Sequence, residues 1–383
     1  MPKNPITIIG GGVIGLSIAW QLALRGKKVA VYEKNSVGSG ATGAAAGMIT
    51  PTSEIRFGEE ELLKLFLEST SRYPSFIREL EKVSGHSTDF QTSGSLMVAI
   101  DHDDEAELER LFDYQKELGL EVNRLTPTEV REKEPLLSHQ CVGGIFSASE
   151  YFLDARRLVE SLKKALSAMN VPIFEGKKVE SLEIQNGRVT SIQVGDEKIK
   201  MEQVIIASGI DQKVDGLPEE LFFPIRPVKG QCVELQAPPS LRLIHAVRTL
   251  HRYPVYLVPR SDGRLTIGAT LEEMGHDTTV TAGSLLDLIY GAWKIFPSVT
   301  EMPVVQSWAG LRPASSDHKP ILGPTSVNGL YVAMGMYRHG ILLAPIVGEL
   351  MAELVGEEKN SPFFEIFGSK RFQPKYEHAA NCQ

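Results

Sequence analysis

The pattern that most limits what this chain can fold into occupies its first thirty-three residues. Pro5-Ile6-Thr7-Ile8-Ile9 reads as a short buried strand, and Gly10-Gly11-Gly12-Val13-Ile14-Gly15 then opens a helical stretch running from Leu16 to Arg25. A second apolar strand, Lys28 to Tyr32, ends at Glu33. Strand, glycine turn, helix, strand and acid within about 30 residues make one βαβ unit of the dinucleotide-binding kind. Gly10 allows the tight turn off the strand, Gly12 lets the backbone approach a pyrophosphate, and Gly15 lets the helix lie close on the sheet. The phosphates would meet a helix N-terminus, where unpaired N–H groups favour negative charge. Glu33, eighteen residues past Gly15, can accept hydrogen bonds from a ribose diol and repels a 2′-phosphate. The motif alone does not separate FAD from NAD.

The following segment does more. After Glu33 the chain enters Ser39-Gly40-Ala41-Thr42-Gly43-Ala44-Ala45-Ala46-Gly47-Met48, a run of small residues. Such a run suits backbone lying flat against a large planar ligand, since bigger side chains would block the approach. Ala41, Thr42, Ala46, Gly47 and Met48 are therefore candidate cofactor contacts, with Lys34 beside Glu33.

Helical periodicity appears over Glu60–Val83, Asp104–Leu118, Pro127–Lys133 and Ala155–Met169, the last capped by Asp154. Short strands follow over Pro172–Glu175, Lys178–Ile184, Arg188–Val194, Glu197–Met201 and Gln203–Ala207, with Asn186-Gly187 a hairpin turn. The last of them runs into Ser208-Gly209 and reads as a return to the nucleotide-binding sheet, which makes Gly209 a further candidate contact. Val228–Leu235, Val255–Pro259 and Arg264–Ala269 form a β-rich region, followed by a helix over Ala282–Phe296. Finally the strand Gly329–Gly335 feeds a closing helix, Gly340 to Leu354, expected to turn around Pro345.

Sheet-forming segments thus lie at 5–33, 172–207 and 329–335, with another domain inserted between them. This interleaving favours a two-domain FAD enzyme over a tandem NAD dehydrogenase. The expected division assigns residues 1–85, 142–225 and 305–370 to the cofactor domain and 86–141 plus 226–304 to the substrate domain. A C-terminal tail, 371–383, completes the chain.

Composition removes other readings. Lys and Arg number 40 against 48 Asp and Glu in 383 residues, a formal charge of −8. With no long basic run, nucleic-acid binding is not expected. Cys141, Cys232 and Cys382 form no CxxC pair, so neither a disulfide framework nor a zinc ribbon is available, and a reducing, cytoplasmic setting follows. The apolar stretch Ile6–Leu24 holds four glycines and lacks a cleavage site, unlike a signal peptide. No stretch approaches the ~20 apolar residues of a membrane span. His245, His251, His318 and His339 lack metal-ligand spacing, no GxSxG is present, and the acid-rich stretch Asp101–Glu109 reads as a solvated helix start.

Two arginines stand out. Arg312 lies in Trp308-Ala309-Gly310-Leu311-Arg312-Pro313, an apolar neighbourhood without nearby acids, and Arg338 lies in the turn before the closing helix. A guanidinium near a cofactor suits a substrate carboxylate, because its planar fork donates two parallel hydrogen bonds. Tyr256, mid-strand in the β-rich region, could add a hydroxyl to the same carboxylate.

Together, Gly10–Gly15 with Glu33, Ala44-Ala45-Ala46-Gly47-Met48, Tyr256 before Val258-Pro259-Arg260, Gly268-Ala269-Thr270, Gly310-Leu311-Arg312-Pro313 and Arg338-His339-Gly340-Ile341-Leu342-Leu343-Ala344-Pro345 resemble the glycine oxidase family. That family is part of the wider D-amino-acid oxidase and sarcosine oxidase group, and the match spans nearly the whole chain in order.

The resemblance implies an α/β fold: a Rossmann-like FAD-binding domain of the glutathione-reductase type, interleaved with an antiparallel sheet and helices that bind substrate. It implies oxidative deamination of glycine or another small amino acid, with hydride passing from Cα to flavin N5 and O2 reoxidising the flavin to give H2O2. In the family this supplies glycine imine for the thiazole half of thiamine. Arg312 would bind the carboxylate, Tyr256 assist, and Arg338 stand at the flavin edge. Met336, Tyr337, His339, Gly340, Ile341 and Leu342 would wrap the isoalloxazine, and Val179 would contact adenine through its backbone. FAD would be non-covalent, since none of the cysteines lies in the Arg312 loop, where the sarcosine oxidases attach their flavin. The family often forms tetramers. Pro254 stands where the family has His, Leu271 where it has Met, and Thr50-Pro51 replaces a smaller entrance segment; these departures bear on substrate size. A D-amino-acid or sarcosine-type oxidase or dehydrogenase with another acceptor stays open.

Overall fold

A computed structural model describes residues 5–250 and 254–372. His251, Cys382 and positions 373–383 of the expected tail lie outside them. The strands Ile6–Ile9 and Val29–Tyr32 are buried along their whole length. An apolar run with no polar alternation has to be covered on both faces, which a parallel sheet flanked by other layers provides. They sit inside a six-stranded sheet, ordered Ile321–Pro324, Leu330–Met334, Val204–Ile206, Ile6–Ile9, Val29–Tyr32 and Ile173–Phe174. All neighbours are parallel except the first pair. The segments expected near 5–33, 203–207 and 329–335 therefore meet in one sheet. Those over 178–201 do not join it: Ser181–Gln185, Arg188–Val194 and Glu197–Lys200 form a separate antiparallel sheet of three.

The second layer is an eight-stranded sheet. Its order is Val304–Ser315, Ile225–Gln236, Arg264–Gly268, Tyr256–Pro259, Ala246–Thr249, Ser95–Ala99, Gly143–Ser147 and Asn123–Leu125. Residues 143–147 and 305–315, which the expected division gives to the cofactor domain, are strands of this eight-stranded sheet. The helices Val13–Leu24, Glu60–Ser84, Ala155–Ala168 and Gly340–Glu357 pack into one apolar core with the six-stranded sheet. No described helix is long and apolar enough to cross a membrane.

The closing helix departs from expectation in an instructive way. Gly340–Glu357 is one continuous helix with Pro345 inside it, not a helix turning at that residue. Proline has no N–H, so the carbonyl four residues earlier, that of Ile341, loses its helical donor. The structure replaces it: the hydroxyl of Tyr73, fully buried in the helix Glu60–Ser84, donates to Ile341 O. Ser69 Oγ donates to the next carbonyl, Leu342 O, at 2.6 Å. The neighbouring helix therefore completes the broken turn, and burial raises the Tyr73 pKa so that its proton stays in place.

Tyr73→Phe should accordingly cost about 1–3 kcal/mol, the cost of an unsatisfied buried carbonyl. In a Pro345→Ala background the restored N–H takes over, and the same substitution should cost measurably less. Urea unfolding of the four proteins in this double-mutant cycle reads the coupling.

Candidate functional site

A single cavity of about 1900 Å³ runs from the Gly10 turn to the eight-stranded sheet. At its nucleotide end Gly10 has φ +113, and a Cβ there would lie 2.7 Å from the carbonyl carbon of Ala207. Only glycine fits. The helix Val13–Leu24 starts at Gly12 with no side-chain cap, although Val13 N donates to Thr42 Oγ1 at 3.0 Å. Glu33 accepts from Gly11 N and Asn35 N, both at 2.8 Å. Lys34 also lines the cavity, with its ammonium 2.7 Å from Asp211.

The small-residue segment is held against this space from outside. Arg260, 6% exposed, donates to Ala46 O at 2.6 Å and Leu153 O at 2.8 Å. Trp308 Nε1 donates to Ala44 O at 3.1 Å, and the Arg156 guanidinium lies 4.7 Å from the Trp308 ring.

At the other end, the register of the eight-stranded sheet sets out a transverse row. Trp308 pairs with Cys232, Cys232 with Gly268, Gly268 with Tyr256, Tyr256 with Arg248 and Arg248 with Met97. Five of these six line the cavity, Gly268 being the exception. Arg312 is four residues beyond Trp308 on the same strand, hence on the same face. Its guanidinium lies over Gly230, where a Cβ would come within 2.6 Å of Cζ. Nη1 donates to Lys229 O and Thr270 O, each at 3.1 Å. Among the described residues no acid pairs with Arg312. The Tyr256 hydroxyl is 3.7 Å from Cys232 Sγ. Burial first and then Cys232 push its pKa well above 10, against the opposing pull of Arg312, so it is a neutral O–H donor.

Arg338 differs from Arg312. Nε donates to Glu54 Oε2 at 2.9 Å and Nη2 to Glu59 Oε2 at 3.0 Å. It lines the cavity as expected, but its charge is already paired. Arg248 Nη1 donates to the other oxygen of Glu54 at 3.0 Å and to Ser53 O at 2.7 Å. Glu54 is delivered by a short helix, Pro51–Glu54, fixed from below by the fully buried Glu150. That carboxylate accepts from Thr52 N at 2.9 Å, Ser53 N at 2.7 Å, Thr52 Oγ1 at 2.5 Å, Ser53 Oγ at 2.6 Å and Ser95 Oγ. Burial alone would raise the Glu54 pKa, but Arg248 and Arg338 outweigh it and hold the carboxyl at about 2. Burial and then Arg338 push the His339 pKa well below 6.5, leaving a neutral imidazole against Glu54.

Comparison with known proteins now decides the family. Residues 5–354 match the FAD dependent oxidoreductase family, DAO. The chain belongs to the FAD-dependent oxidoreductase family. Among its relatives it is 34% identical to the glycine oxidase of Geobacillus kaustophilus, over 94% of this chain and 95% of that one. A crystal structure of glycine oxidase from Geobacillus kaustophilus superposes with a TM-score of 0.89 at 33% identity, covering 96% of this chain and 98% of that one. The bifunctional protein ThiO/ThiG of Trichormus variabilis is 33% identical over 98% of this chain, which spans only 57% of that relative's length.

The residues present fit the FAD of this family. The glycine turn and uncapped helix suit a pyrophosphate, and the Glu33 carboxylate suits a ribose. Two buried polar atoms in the cavity, Arg338 Nη1 and His339 Nε2, have no hydrogen-bond partner among the described residues. Both stand at the start of the helix Gly340–Glu357, where a ring carrying carbonyl and nitrogen acceptors would satisfy donors.

Of the expected contacts, Gly10, Gly12, Val13, Ile14, Glu33, Lys34, Ala41, Thr42, Ala46, Gly47, Met48, Gly209, Met336, Tyr337, His339, Gly340, Ile341 and Leu342 all line the cavity. Gly15 does not; it lies against the Gly10 carbonyl, as its packing role requires. Val179 does not either. It is 3% exposed and packs in the apolar cluster with Tyr32 and Leu182. Sequence reading missed Glu54, Arg248, Trp308, Cys232 and the clamp at Arg260. Glu54 lies three residues after Pro51 of the Thr50-Pro51 departure, which is the available signal; Arg248, Trp308 and Cys232 depend on strand register, and the Arg260 clamp on how the layers meet.

Because the Glu54 pKa in the fold is below its ordinary 4.5, its pairing stabilises the protein fully above that value and is lost as pH falls toward 2. From pH 4.5 down to 2, the unfolding free energy of the wild type should drop by roughly 3 kcal/mol more than that of Glu54→Gln. Urea titrations of both proteins across that range check it.

Proposed function

We propose that this protein oxidises glycine or another small amino acid at its Cα–N bond, giving an imine that water hydrolyses. The carrying observation is Arg312: a guanidinium in the cofactor cavity, held by two carbonyls, with no acid partner among the described residues. Bound FAD supplies the two-electron oxidant that accepts the hydride. Everything else falls to the chain. Arg312 receives the substrate carboxylate in a fork of charge-assisted hydrogen bonds, and the neutral Tyr256 donates a further one. Held by that end, the substrate presents Cα toward the helix N-terminus at Gly340 and the segment Met336–Leu342. Loss of hydride from a neutral amine needs no side-chain base at Cα, in keeping with a Glu54 locked between two guanidiniums.

The same reading takes O2 as acceptor, a cytoplasmic setting and the imine as a precursor for thiamine thiazole, as the resemblance implies. It also takes a homo-oligomer, which the exposed apolar side chains Leu286, Trp293, Val304 and Val305 support.

Arg312→Ala should raise KM for glycine by more than a hundredfold while FAD stays bound, since a truncated buried charge contact costs about 3–5 kcal/mol. Unchanged KM with full flavin content would refute the assignment. Tyr256→Phe should raise KM about tenfold, the loss of one hydrogen bond to a charged group. Steady-state peroxide assays measure both.

A further inference from the structure

Besides Arg312 the cavity is lined by two more guanidiniums, Arg248, four strands along the eight-stranded sheet from Arg312, and Arg338. They grip one carboxylate between them. Arg248 Nη1 donates to Glu54 Oε1 at 3.0 Å, and Arg338 Nε donates to Glu54 Oε2 at 2.9 Å. A carboxylate bridged by two arginines, one per oxygen, is how a protein holds an anionic ligand. Here the anion belongs to the chain. It is also held rigidly: Glu150 fixes the two residues before Glu54 through their backbone N–H groups, and Gln115 Nε2 donates to Thr52 O at 2.9 Å. Arg338 Nη2 donates in addition to the Glu54 backbone carbonyl at 3.1 Å. Tyr256 stands on the strand next to that of Arg248, and its hydroxyl feels both the Arg312 guanidinium and the Glu54 carboxylate. The two regions therefore differ: Arg312 has no acid partner among the described residues, whereas the guanidiniums of Arg248 and Arg338 are already occupied by the Glu54 carboxylate.

We propose that Glu54 is a built-in surrogate for a second ligand carboxylate: by occupying Arg248 and Arg338 it restricts the pocket to amino acids carrying one anionic group. Removing its charge opens a second carboxylate subsite. The inference rests on Arg312 being the α-carboxylate anchor. A dicarboxylate entering the native pocket meets like charge from Glu54 at its far end, which is repulsion against the wrong ligand, not merely weak attraction to it. Without Glu54 the same ligand would meet Arg248 with no acid partner among the described residues and Arg338 held by Glu59 alone.

The test uses the FAD-loaded protein and inert carboxylates, read by perturbation of the flavin absorption spectrum. Acetate is compared with malonate, succinate and glutarate at constant ionic strength. In the wild type acetate should bind more tightly than any of the three. In Glu54→Gln the affinity of the best dicarboxylate relative to acetate should rise at least tenfold, and adding Arg248→Gln should cancel that gain. An unchanged ratio in Glu54→Gln overturns the inference while leaving the Arg312 reading intact. Absence of any acetate effect in the wild type brings both down. If Glu54→Gln does not stay folded, recovery of flavin-loaded protein on refolding must be several-fold higher in succinate than in acetate of equal ionic strength. Equal recovery overturns the proposal.

Discussion

A guanidinium held by carbonyl oxygens, instead of by a carboxylate, is the interaction on which the rest of this site depends. Lys229 O and Thr270 O orient Arg312 without neutralising it. Its charge remains available to whatever anion enters, in a cavity where burial strengthens the attraction. Gly230 is part of the same device, because any side chain there would occupy the place of the guanidinium. Arg248 and Arg338 are treated differently: both are compensated by Glu54, and Arg338 by Glu59 as well. In the proposed reading, specificity for one carboxylate comes from leaving Arg312 without an acid partner while Arg248 and Arg338 are paired.

The two sheets divide the work. The six-stranded sheet presents a glycine turn and two helix N-termini, at Gly12 and at His339, whose partial positive charges suit a dinucleotide. The eight-stranded sheet presents side chains across strands, so a slip of one residue would turn Tyr256 and Arg248 away from the cavity together. Keeping these surfaces in place falls to the contacts between layers: Glu150 beneath Thr52 and Ser53, Arg260 on Ala46, and Tyr73 under the proline-broken turn of the closing helix.

What could be read from the sequence was local. The helix Pro127–Lys133 is legible from its periodicity, and the structure adds a capping box of Thr126 and Glu129 around a proline at its first position. The helix after Asp154 was legible because that side chain accepts from Arg156 N and Arg157 N. The nucleotide half of the site was legible because its residues are consecutive. Arg312 was found by context, yet the twelve-residue strand that carries it, Val304–Ser315, was not, since Gly310 and Pro313 interrupt its pattern and its first residues are exposed. The Glu54 bridge was invisible for a stronger reason. Its partners lie nearly two hundred and nearly three hundred residues away, and nothing short of the fold says that they meet.

One measurement bears on this account most directly: anaerobic mixing of the purified yellow protein with glycine, sarcosine, D-alanine and methylamine, followed by loss of flavin absorbance. The account requires rapid bleaching by at least one of the three amino acids and none by methylamine, which offers the amine without the carboxylate. Bleaching by methylamine at a comparable rate, or a protein that purifies with no flavin, would contradict it.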